Sequence, residues 1–97
     1  MNINKSLKDN ELVIALEGRL DTNTVADLEN EVRNLEEIKK LTFDFEKLEY
    51  ISSAGLRILL SCQKKMNMQG EMIIKNVNDA IKEIFEITGF NDILTIE

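Results

Sequence analysis

Residues 41–74 read LTFDFEKLEYISSAGLRILLSCQKKMNMQGEMII, and within them the hydrophobic period changes twice. Leu41-Thr42-Phe43-Asp44-Phe45 is brief and rich in β-forming side chains, the pattern of a strand. From Ser52 onward, Leu56, Leu59, Leu60, Cys62 and Met66 share one wide helical face, with Arg57, Ser61, Lys64 and Lys65 opposite. Gly70 ends that helix, and Met72-Ile73-Ile74 is a second strand. Strand, helix and strand in succession predict a parallel pair joined by a right-handed crossover.

The same reading extends in both directions. Upstream, Leu12-Val13-Ile14-Ala15-Leu16 is a buried strand, and Ile3 to Leu7 pairs with it as a hairpin turned by Asp9-Asn10. Val25, Leu28, Val32 and Leu35 then follow at helical spacing, and Thr24 with Asp27 resembles a capping box, Asp replacing the usual Glu or Gln. Downstream, Asn78 caps a third helix with Ile81, Ile84 and Phe85 inward and Gly89 at its end. Ile93-Leu94-Thr95-Ile96 reads as a last strand. The predicted order is β-β-α-β-α-β-α-β: one α/β domain over residues 1–97, with a mixed, mostly parallel sheet of four or five strands and three helices. Whether the helices cover one sheet face or both is left open by the pattern.

Composition narrows the chemistry. The 97 residues include no His and one Cys, which removes Ser-His and Cys-His catalytic pairs, His metal sites and any internal disulfide. No cofactor or metal is expected. The net charge of −6 argues against nucleic acid or an anionic membrane as partner. The N-terminal residues carry no apolar run, and the lone thiol suits a reducing compartment, so a cytoplasmic location is expected. Gly18, Gly55, Gly70 and Gly89 fit neither phosphate-loop nor dinucleotide spacing. Cys62, Met66 and Met68 read as packing residues, and Asp44, Glu46 and Glu49 as solvated carboxylates rather than an acid–base pair.

Charge is unevenly spread. Tyr50 to Gly70 holds no acid and carries +3 from Arg57, Lys64 and Lys65, leaving −9 on the rest of a chain that totals −6. Ser52 and Ser53 open this basic helix. A helix start offers free N–H groups and a partial positive charge, so an anion is tolerated there. The residues alone favour a simple N-cap, the common role of Ser in that position. A phosphorylation site is the other reading, and Glu46 and Glu49 upstream could present an acidic rim to a basic partner.

Tyr50-Ile51-Ser52-Ser53-Ala54-Gly55-Leu56-Arg57-Ile58-Leu59-Leu60 resembles the signature of the STAS domain, the fold of bacterial anti-sigma factor antagonists. Leu16-Glu17-Gly18-Arg19-Leu20-Asp21 is similar to the family's Gly-x-Leu-Asp turn after the second strand, and Ile87-Thr88-Gly89-Phe90 to its Thr-Gly turn before the last. The resemblance implies that Ser53 is the residue phosphorylated by the anti-sigma serine kinase. Ser52 stands where the family usually has Asp, and Ala54 where it has a second hydroxyl, which leaves a single acceptor. It further implies that Asp21 lies near the phosphosite and that Asp21, Thr22, Ser52, Ala54, Gly55 and Arg57 form the partner surface. The unmodified form would bind the kinase, which doubles as the anti-sigma factor, and so free the sigma factor. A PP2C-type phosphatase would reverse the modification. Such a protein is a substrate and not an enzyme. Many members carry a further helix beyond the point where this chain stops, at Glu97.

Two rival functions remain at this stage. STAS domains also serve as unphosphorylated subunits of a transporter or a signalling scaffold. A hydrolase with Ser53 as nucleophile would need Lys or a carboxylate as base, and its i+3 neighbour is Leu56, so no Ser-x-x-Lys pair exists there.

Overall fold

The computed structural model describes residues 1–97. Strand β1 (Asn2–Lys8) and strand β2 (Glu11–Leu20) form an antiparallel hairpin. Asp9 sits at its tip with φ of 57°, a left-handed conformation that Asp tolerates. Helix α1 (Val25–Glu31) crosses to β3 (Lys40–Ile51), and helix α2 (Ser53–Asn67) crosses to β4 (Glu71–Lys75). Helix α3 (Asp79–Thr88) and a short 3-10 turn (Phe90–Asp92) complete the chain. The sheet order is β1-β2-β3-β4, with β2, β3 and β4 parallel.

That order settles what the pattern left open. Two successive right-handed crossovers running the same way across a sheet put both helices on one face. Leu12, Ile14 and Leu16 of β2, Leu41 and Phe43 of β3 and Met72 and Ile74 of β4 alternate toward that face. With Leu28, Leu59, Ile81 and Phe85 from the helices they form one cluster of 22 buried residues. On the opposite face Asn4 and Ser6 are exposed, and Ala15, Asp44 and Lys75 half-buried. Cys62 lies in the core as the sequence suggests, and burial pushes its thiol pKa up to about 11. No helix is long and apolar enough to cross a membrane.

Four expectations change. Ile93–Ile96 is not a strand: only Ile96 bridges Ile74, while the Leu94 amide turns back to the Phe90 carbonyl at 2.8 Å and its side chain plugs the core. The sheet therefore has four strands. Helix α1 stops at Glu31, short of Leu35, yet Leu35 and Ile38 are still buried from an irregular segment. The Gln69 amide holds that segment by donating to the carbonyls of Leu35 and Ile38. The capping box is not made, because the Thr24 hydroxyl donates to the Arg19 carbonyl at 2.7 Å and accepts from the Asp21 amide at 2.9 Å. Finally, Met66 is buried as expected, but Met68, at the end of α2, is 88% exposed.

The α2–β4 junction tolerates no side chain. A Cβ on Gly70 would lie 2.0 Å from the Lys39 carbonyl oxygen, which also accepts the Glu71 amide at 3.0 Å. Backbone meets backbone here, so neither side can give way by a rotamer change. Gly70→Ala is expected to lower stability by roughly 2–3 kcal/mol, measured by urea unfolding. A loss below about 0.5 kcal/mol, typical of an unconstrained surface site, would show that the two segments separate at little cost.

Candidate functional site

Because β2 and β3 are parallel, their C-terminal ends deliver two chain reversals side by side. Arg19 pairs with Tyr50 and Leu20 with Ile51 across the last rungs, and the Ser52 amide donates to the Leu20 carbonyl at 2.9 Å. Beyond β2 the chain turns through Asp21–Thr24; beyond β3 it enters α2 at once. Ligands of open α/β sheets gather outside these carboxyl ends.

Gly55 makes the junction possible. A Cβ there would come within 2.8 Å of both Ile51 Cγ1 and Leu20 Cγ, so the first turn of α2 rests directly on the two strand ends. The two serines then divide the roles that the sequence could not separate. Ser52 is the N-cap, half-buried and extended, and its Oγ accepts from the Gly55 amide at 3.3 Å. Ser53 is the first helical residue; it is exposed, and its hydroxyl makes no hydrogen bond within the chain. Ala54 is half-buried beside it, and Arg57, one turn on, is exposed with no carboxylate in ion-pair range. The first turn of α2 contains no acid. Its free amides and dipole favour negative charge at the Ser53 position.

The neighbouring turn is built around Asp21. Its Oδ1 accepts from the amides of Asn23 at 3.0 Å and Thr24 at 3.2 Å, and its Oδ2 lies 3.6 Å from the Arg19 guanidinium. Partial desolvation opposes ionisation of this carboxyl. The two amides, the Thr24 hydroxyl and Arg19 outweigh it and hold the pKa below the usual carboxylate range. Thr22 is exposed at the tip of the turn. Asp21 is thus both a turn-former and part of the surface next to Ser52.

Sequence reading missed Arg19 and Tyr50. The Arg19 guanidinium stacks 4.3 Å over the Tyr50 ring while reaching Asp21, which ties the ends of the two strands together on their outer side. The register that brings them together was the missing signal. Asp44, Glu46 and Glu49 do not join the site. The Asp44 carboxylate accepts from the Asn76 side chain at 2.9 Å and the Glu46 amide at 3.1 Å, and these bonds lower its pKa against the opposing effect of desolvation. The structure holds no group of three or more residues arranged to bind a metal.

Two measurements check this geometry. Ser52→Ala should cost about 1 kcal/mol through the lost cap, whereas Ser53→Ala should leave the unfolding midpoint within error; equal losses would contradict the division of roles. For Asp21 the folded pKa is depressed, so its contribution is complete above about pH 4 and disappears as pH falls through the lowered value. The difference in melting temperature between wild type and Asp21→Ala should therefore be present at pH 7 and shrink at pH 3.

Comparison with known proteins identifies the family to which the fold and sequence belong. The sequence profile of the STAS domain matches residues 2–97. The Bordetella bronchiseptica protein BtrV, named as an anti-sigma factor antagonist, is 32% identical over 91 residues, covering 91% of this chain and 78% of its own. The anti-sigma-B factor antagonist of Staphylococcus aureus is 28% identical over 99 residues, covering 99% and 92%. The Bacillus anti-sigma factor antagonist SpoIIAA, solved unphosphorylated and phosphorylated, superposes with TM-scores of 0.79 and 0.78. Both comparisons are at 18% identity and cover 99% of this chain, with 87% and 91% of the respective SpoIIAA chains. With a profile matched over residues 2–97 and a four-stranded sheet that superposes on SpoIIAA, the chain belongs to the STAS domain family.

Proposed function

We propose that this chain is an anti-sigma factor antagonist switched by phosphorylation at Ser53. The observation that carries the reading is the free, exposed Ser53 hydroxyl at the first position of α2, beside a Ser52 that already satisfies the helix cap. In the unphosphorylated form the surface formed by Asp21, Thr22, Ser52, Ala54 and Arg57 binds an anti-sigma serine kinase, and the sigma factor is released. Gly55, expected from the sequence to join that surface, is buried against Leu20 and Ile51 and instead seats the helix beneath it. The reading places this exchange in the cytoplasm. The relatives named as anti-sigma factor antagonists support it.

The chemistry belongs to the kinase. Ser53 Oγ attacks the γ-phosphorus of ATP, the bond from that phosphorus to the β–γ bridging oxygen breaks, ADP leaves, and the hydroxyl proton passes to a kinase base. The product carries about −1.5 to −2 charge at a helix start that accommodates it. Loss of binding therefore arises across the interface, by repulsion and steric block, with the domain itself unchanged. A PP2C-type phosphatase then removes the phosphate.

Incubation with an anti-sigma serine kinase of the same genome and ATP should modify one peptide, at Ser53. Ser53→Asp should weaken kinase binding at least about tenfold, or about 1.4 kcal/mol, with the melting temperature nearly unchanged. Modification at Ser52 instead would overturn the assignment to Ser53, and an unmodified wild type whose kinase binding Ser53→Asp leaves unaltered would favour an unphosphorylated subunit of a transporter or scaffold.

A further inference from the structure

Helices α1 and α2 run beside each other but differ in length. At about 1.5 Å per residue, seven residues of α1 cover about 10 Å of an α2 that extends about 22 Å. Where α1 stops, a groove of about 330 Å³ opens between its C-terminal end and the middle of α2. Its floor is apolar: Val32 and Ile58 half-buried, with Leu35 and Cys62 beneath. Arg33 and Lys65 stand on its walls with Ser61, and Glu29 is its single carboxylate.

The cations of this region have no acidic partners. The three ion pairs of the chain are Lys5–Glu31, Arg19–Asp21 and Lys40–Glu71. Arg33 bonds only the Asn30 amide oxygen, at 2.8 Å, and Lys64, Lys65 and Arg57 bond no carboxylate. Nine of the twelve bases make no ion pair, so what sets this region apart is not the lack of partners but the sequence around it: Tyr50 to Gly70 holds Arg57, Lys64 and Lys65 and no acid, on a chain with eighteen acids. An apolar floor between unpaired cations complements a segment that combines an apolar side chain with carboxylates.

We propose that the groove between α1 and α2 is a second contact for the anti-sigma partner, and that it receives an acidic amphipathic segment of that protein. The proposal rests on the partner-switching reading given above. Lys65 lies twelve residues along α2 from Ser53, about 18 Å, too far to touch the phosphoryl group and within one ordinary interface. The groove thus supplies affinity that phosphorylation does not address, while the strand-end serine supplies the switch.

The test uses the full chain and the purified anti-sigma serine kinase of the same genome. Arg33→Glu with Lys65→Glu should weaken binding by about thirtyfold, and binding to the wild type should weaken as salt rises. In the phosphorylation assay this double variant should raise KM by about the same factor and leave kcat within about twofold, since the groove positions the chain without touching the reacting atoms. Arg33→Glu alone, at an exposed position, guards against misfolding and should show part of the loss. Lys82→Glu on α3 is the control, with the same charge change per site outside the groove. Wild-type affinity in the double variant, or an equal loss in Lys82→Glu, overturns the groove while leaving the Ser53 reading intact. A kinase that neither binds nor phosphorylates the wild type overturns both.

Discussion

The first turn of α2 rests on Leu20 and Ile51 with no room for one more carbon atom. That contact fixes everything nearby. It seats the helix start on the ends of two parallel strands, so the Ser52 amide can reach the Leu20 carbonyl and the Ser52 hydroxyl can cap Gly55. A side chain at position 55 would push the helix outward against packed aliphatic groups that are themselves buried, at a cost interiors of native density do not absorb by small adjustments. Once the helix is seated, Ser53 has no direction left except solvent.

Electrostatics acts on this frame at two scales. Locally, the turn after β2 concentrates hydrogen bonds on Asp21 while α2 keeps its first turn free of acids, so a carboxylate and a site suited to an anion lie on neighbouring loops without sharing one. Over the whole molecule, an acidic chain presents one basic helix. Phosphate at the start of that helix is compatible with the fold because the unpaired amides and the dipole already favour negative charge there. On the proposed reading, the consequence of a phosphate at Ser53 is therefore felt by whatever docks and not by the fold.

Much of this was legible in the residues. The change to helical spacing at Ser52, and back at Met72, is a local property of the chain and marks α2 and β4, whereas β3, brief over Leu41–Phe45 in the pattern, runs on to Ile51. Asn78 and Gly89 behaved as caps for the same reason, since the groups they satisfy lie within one turn. The failures were of a different kind. Leu35 continues the helical spacing of Val25, Leu28 and Val32, whereas a side-chain amide thirty-four residues away holds its carbonyl in an irregular segment. Ile93–Ile96 has strand-like composition, but the preceding 3-10 turn takes the Leu94 amide and leaves one residue to pair with the sheet. Thr24 resembled a capping residue, and the β2 end claimed its hydroxyl instead.

The sequence by itself determined the order of elements from β1 to α3, the pair of serines opening a basic helix, and the absence of His, because these depend on composition and on spacings of a few residues. Only the tertiary structure decided which of two adjacent serines caps the helix and which faces solvent. It also brought Arg19 over Tyr50 and left a groove where α1 ends before α2. Those outcomes follow from strand register and from the lengths at which helices stop. Both are set by contacts between residues far apart in the chain, where local periodicity carries no information.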